Sequence, residues 1–189
     1  MSVADRSIDP RIIESAKEEF LQKGFLDASL QEICKNAGVT TGALYKRFKG
    51  KEELFCALVE STVQDLEEVV RQKSALPTTL TDEQLKKAWD MDREYMQWWF
   101  DYLYDRYDEM RLLLVFSDGT KYANFEHEWV EGMSHTTYAY YKEAQRRGLT
   151  KTVISAKEMH VMLSSFWTAI CEPLIHGFTK EEAGRISDL

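Results

Sequence analysis

The chain has 189 residues, room for a small module plus one further helical domain. Three prolines, no long Gly or Ser tract and abundant Glu, Lys, Leu and aromatics favour an all-α protein. No apolar run reaches 18 residues, which excludes a membrane-spanning helix; the net charge of −8 speaks, taken alone, against a partner as acidic as nucleic acid.

The opening MSVADRSIDPR lacks an apolar signal core, so export is not expected and a cytoplasmic location is. Asp9-Pro10 reads as the cap and first position of helix one. Ile12, Ile13, Ala16, Phe20 and Leu21 supply its buried stripe, and Gly24 stops it. Ser29 to Phe48, SLQEICKNAGVTTGALYKRF, then reads as two short helices joined by a tight turn. Ser29 and Glu32 have capping-box spacing. Leu30, Ile33 and Cys34 repeat at helical spacing, Gly38 can turn the chain through a left-handed conformation, and Thr40 caps the next helix. That second helix shows Thr41, Gly42, Tyr45 and Lys46 on one side and keeps Ala43, Leu44 and Phe48 for packing. The pattern is a helix-turn-helix, whose second helix enters a DNA major groove. Local charge removes the objection from the total: Ser29 to Lys51 holds Lys35, Lys46, Arg47, Lys49 and Lys51 against Glu32 alone, a net +4. Phosphate contact depends on such a patch.

A fourth helix is expected from Lys51 to about Lys73, with Phe55, Leu58, Leu66 and Val69 at helical spacing. SALPTTL, 74–80, is a linker broken by Pro77. Thr81 and Gln84 form a capping box for a long aromatic helix from Asp82 to about Tyr104, which includes Trp89. A shorter helix covers Asp105 to Phe116, and a long one runs from Tyr122 to Arg147. Ser155 and Glu158 cap the last long helix, in which Pro173 should introduce a kink. Thr179 to Leu189 reads as a short polar helix, which leaves open whether the native chain runs past Leu189. Cys34, Cys56 and Cys171 are odd in number and set in helical patterns, as reduced core thiols are.

From Arg11 to Glu60 the chain resembles the DNA-binding domain of TetR-family transcriptional regulators. The matching residues are Ala16 and Phe20, Gly24-Phe25, Ser29-Leu30-x-x-Ile33, Ala37-Gly38-Val39, Gly42-Ala43-Leu44-Tyr45, Phe48 and Lys51-Glu52-Glu53-Leu54. One departure is Gly50, where the family often has Ser or Asn; Gly is an acceptable cap. The resemblance implies a DNA-binding domain over 6–66, with its helix-turn-helix at 29–48, and a helical ligand-binding and dimerisation domain over 75–189. Thr40, Thr41 and Gly42 sit where side chains reach base edges and phosphates. By resemblance Tyr45, Lys46 and Lys51 touch the phosphate backbone, and Ser29 adds a phosphate hydrogen bond to its capping role.

The aromatics of the second domain can fill a core or line a cavity for a small-molecule effector, as TetR-like regulators have there. Tyr95, Trp98, Trp99, Tyr102, Phe116 and Trp129 are the candidates, and the carboxylates of Glu94, Asp101 or Asp105 would suit a flat or cationic ligand. The helix from Ser155 is apolar almost all round and must be covered all round. A homodimer would cover it by building a four-helix bundle through Tyr140, Met159, Leu163 and Phe166, together with Trp167, Ile170 and Leu174. The family resemblance implies the same. Two recognition helices on such a dimer would meet successive major grooves of a palindromic operator. His127, Glu131 and His135 fall four apart but read as a polar exposed face, so neither metal nor cofactor is expected. The sequence thus describes a DNA-binding regulator, foremost a ligand-released repressor. An enzyme or a protein-interaction module using the aromatic domain are the rivals. No Ser/His/Asp order, phosphate loop or cofactor fingerprint supports the enzyme.

Overall fold

The computed structural model describes residues 8–74, 80–87 and 93–186, the side chains of 8, 9, 73 and 74 excepted. Every regular element among them is an α-helix: α1 (Ile8–Asp27), α2 (Leu30–Asn36), α3 (Thr41–Tyr45), α4 (Lys51–Ser74), α5 (Asp82–Lys87), α6 (Arg93–Tyr104), α7 (Tyr107–Val115), α8 (Phe125–Arg146), α9 (Ala156–Ile175) and α10 (Lys180–Ile186). The all-α expectation is met. Two compact units emerge: the described residues up to Val63 with Tyr107–Ala123, and Gln64–Arg106 with the described residues from Asn124 on. The division falls inside α4.

The first unit is built around the apolar stripes of α1 to α4. Ile12, Ala16, Phe20, Ile33, Leu44 and Phe55 are all fully buried. Each large one contributes about 1.5–3 kcal/mol by leaving water. The Phe20, Phe25 and Phe55 rings meet at centroid distances of 5.2–6.0 Å, two of the three pairs edge-on. Gly24, at φ +74°, breaks α1 where the sequence places its stop. The bend turns the Phe25 amide to donate to the Phe116 carbonyl at 3.0 Å. Segment 107–123 therefore belongs to this unit's fabric: α7 packs on α1, and Lys17 pairs with Asp108 at 3.4 Å.

The second unit is centred on an α8–α9 hairpin, with α6 against α9 and α5 against α8. Trp99, Phe100 and Leu103 of α6 meet Trp129 and Val130 of α8 and Trp167, Ile170 and Leu174 of α9 in its core. The Tyr141 hydroxyl donates to the Thr152 carbonyl at 2.7 Å and receives the Ile154 amide at 2.8 Å, which fixes the α8–α9 connection. Arg147 ties α5 to the end of α8 through Asp82 and the Leu80 carbonyl. Lys180 joins α10 to Asp101 of α6 at 3.0 Å and to Asp105, just past its end, at 3.2 Å.

Several boundaries differ from the sequence reading. α8 begins at Phe125, not Tyr122. Ahead of it the Thr120 hydroxyl donates to the Ser117 carbonyl and accepts the Tyr122 amide, so short polar side chains capture the backbone before a helix can. The helix expected over 82–104 appears as α5 and α6; Trp89, like the linker around Pro77, lies outside the described residues. The Ser155–Glu158 and Thr81–Gln84 boxes form reciprocally. The Ser29 box forms only by half: the Glu32 amide reaches the Ser29 hydroxyl at 3.4 Å, but Glu32 itself pairs with Lys35.

Candidate nucleic-acid interface and aromatic cluster

The missing half of that cap comes from α1. The Ser29 amide donates to Glu19 Oε1 at 2.9 Å, and the same oxygen receives the Lys23 ammonium at 2.9 Å. Glu19 is buried, 4% exposed. Burial pushes its carboxyl up, but the Lys23 ammonium and the Ser29 amide outweigh it and hold the group below the usual Glu value. A buried carboxylate thus fixes the start of α2. The sequence displays the i, i+4 spacing of Glu19 to Lys23 but not the reach of Glu19 across to Ser29, ten residues on.

Gly38, at φ +64°, turns the chain between α2 and α3. The Thr40 hydroxyl accepts the Ala43 amide at 3.1 Å and starts α3. Leu44 anchors α3 in the core, leaving Thr40, Thr41, Gly42, Tyr45 and Lys46 exposed, Tyr45 by 57%. Arg47 is drawn back to cap α3, donating to the Ala43 carbonyl at 3.0 Å. The face is therefore a short row of hydroxyls, a bare backbone position, a phenol and an ammonium, on a framework that keeps its apolar residues inside.

Lys51 is half-buried, and its ammonium already has work within the unit. It donates to the Leu26 carbonyl at 2.8 Å and the Ala28 carbonyl at 3.1 Å, and lies 4.8 Å from the centre of the Phe25 ring. An ammonium has three donors, so one is left for an anion outside. Ser29 is half-buried beside it, at the N-terminus of α2, where unpaired amides attract negative charge.

In the second unit, Tyr95, Trp98, Trp99, Tyr102 and Trp129 do gather. Trp99 meets Tyr95, Trp98, Tyr102 and Trp129 at 4.8–6.3 Å, each near-perpendicular. Phe116 falls within the first unit, where its ring carries the Arg111 guanidinium at 5.6 Å. Phe166 and Trp167, expected at a pairing surface, instead enter the cluster: Phe166 stacks on Tyr95 at 6.1 Å and Trp167 meets Trp99 at 5.3 Å. Met159, Leu163, Trp167, Ile170 and Leu174 are 0–4% exposed inside the unit's own core, while Tyr140 and Phe166 are half-buried. Between its polar ends, which expose Lys157, Glu158 and Glu172, α9 leaves Val161, Met162, Ser165, Thr168 and Ala169 open. The three cysteines are buried and unpaired; burial pushes the Cys171 thiol well above its ordinary value.

Residues 12–58 match the family model described as bacterial regulatory proteins, tetR family. Among curated proteins, the HTH-type transcriptional regulator SrpR of Pseudomonas putida is 46% identical over 57 residues, 30% of this chain and 27% of that protein. The match thus spans about a quarter of that relative's length. Among solved structures, the TetR-family regulator PfmR of Thermus thermophilus aligns with a TM-score of 0.63 at 18% identity, over 98% of this chain and 96% of that one. The regulator FadR of Bacillus subtilis, solved with stearoyl-CoA, aligns with a TM-score of 0.59 at 17% identity, over 95% and 94%. At these identities the structural likeness speaks for the fold alone. No helix among the described residues is long and apolar enough to cross a membrane.

Proposed function

From the premise that residues 12–58 are a TetR-family DNA-binding domain, we propose that the chain is a homodimeric transcriptional regulator that binds a palindromic operator and is released from it by a small molecule. The exposed row from Thr40 to Lys46, set in a +4 stretch, carries the first part of this reading. Thr41 and Gly42 approach the base edges; Tyr45, Lys46 and Lys51 hold phosphates, with Ser29 at the α2 N-terminus. The acidic remainder of the chain discourages non-specific contact with DNA.

The aromatic cluster supports a ligand response, as does the stearoyl-CoA bound to a protein of the same fold. The mechanism is mass action between two spacings of the paired heads. A ligand that binds the non-operator spacing more tightly draws the population away from DNA. The experiment is a gel shift with the duplex upstream of this protein's own coding region. Retardation that survives excess competitor DNA and fades on addition of an effector is expected. An absence of preference for any duplex, at every ionic strength, overturns the reading.

A further inference from the structure

Three indoles meet in the core of the second unit, one each from α6, α8 and α9. Trp99, Trp129 and Trp167 have ring centroids 5.3–6.3 Å apart. Trp99 stands perpendicular to the other two, and the Trp129 and Trp167 planes are tilted by 41°. Trp129 is 7% exposed and Trp167 fully buried. The Nε1 atoms of both are buried with no hydrogen-bond partner among the described residues. An indole nitrogen can only donate, and buried donors in folded proteins are nearly always satisfied. Apolar volume alone would be filled as well by phenylalanine, which carries no donor to desolvate. The Trp129 and Trp167 ring centroids, on neighbouring helices, lie 5.4 Å apart, within the span of one small molecule. Because an indole N–H lies in the ring plane, its partner sits at the ring edges and not between the faces.

Burial around these indoles selects the kind of acceptor. Glu126, one turn before Trp129 on α8, is half-buried, and Glu172 lies near it. Burial, with Glu172 second, pushes the Glu126 carboxyl up. Cys171, one turn beyond Trp167, is fully buried, and burial chiefly pushes its thiol up as well. Burial that disfavours the charged form of Glu126 disfavours an anion buried beside these indoles in the same way, whereas a neutral oxygen carries no such cost.

We propose that Trp129 and Trp167 together form the polar end of the effector site and take the carbonyl oxygen of a neutral, largely apolar molecule. This rests on the effector reading above and adds the chemical class. The test titrates the full chain, by calorimetry, with three probes of one shape: 1-acetylnaphthalene, 1-ethylnaphthalene and 1-naphthoate. The ketone is expected to bind about tenfold or more tighter than the hydrocarbon, with the carboxylate weakest. In the Trp129→Phe/Trp167→Phe double variant the hydrocarbon's affinity persists and the ketone's advantage vanishes. Equal affinity for ketone and hydrocarbon, preference for the carboxylate, or no binding of the ketone overturns the proposal; should the double variant not fold, the ranking on the unmodified chain decides. Gel shifts separate this from the effector reading. If the ketone obeys the indole rule but leaves operator affinity unchanged, the site stands and the effector reading fails. If some ligand releases the operator while indifferent to both substitutions, the reverse holds.

Discussion

The buried carboxylate of Glu19 receives the backbone amide of Ser29 at 2.9 Å. A side chain in the middle of α1 thereby sets where α2 begins, and with it the placing of the turn and of α3. Replacing Glu19 with Ala leaves the Ser29 amide without that acceptor, at a cost of about 1–3 kcal/mol. Denaturant melts should show that loss at neutral pH. The Glu19 carboxyl is held below its usual value, so its contribution is present above the unfolded Glu pKa and is lost as pH falls through the folded one. The gap between wild type and Glu19→Ala should therefore close on acidification. A gap constant with pH would show that the charge is not what matters.

Lys51 stabilises the first unit and offers a donor to DNA at once. Lys51→Ala should lower the melting temperature, because the Leu26 and Ala28 carbonyls lose a charged donor. It should also weaken binding to all sequences alike and reduce the salt slope by about one unit. Lower stability with the salt slope unchanged would leave Lys51 a purely internal strap.

Thr40 and Thr41 are adjacent and should separate cleanly. Thr40→Ala removes the hydroxyl that accepts the Ala43 amide and should cost about 1 kcal/mol of stability. Thr41 is exposed, so Thr41→Ala should leave stability within about 0.5 kcal/mol but alter base preference in a selection from random duplexes. Unchanged preference would remove Thr41 from the reading face.

If the chain pairs, the surface left open on α9 is where it should do so. Val161 is 63% exposed and continues into Ser165, Thr168 and Ala169 along that helix. Val161→Asp should shift sedimentation from dimer to monomer and weaken operator binding, with the helical signal retained. An unmodified chain that sediments as a monomer at micromolar concentration would end the homodimer proposal.

The sequence alone determined the helical class, the helix-turn-helix and the exposed row from Thr40 to Lys46. These are local matters: helical periodicity, cap residues a few positions from their partners, and a glycine where φ must be positive all operate within a few residues. Only the tertiary structure decided that Glu19, not Glu32, completes the cap at Ser29, that Lys51 is tied to the end of α1, and that the Phe116 carbonyl receives the amide of Phe25 at the α1 bend. It also moved Trp167 and its neighbours from an expected pairing surface into the core. A helix apolar on nearly all sides announces that it must be covered, but not by what. The cover depends on which other helices fold back onto it, a long-range outcome that no window along the chain contains.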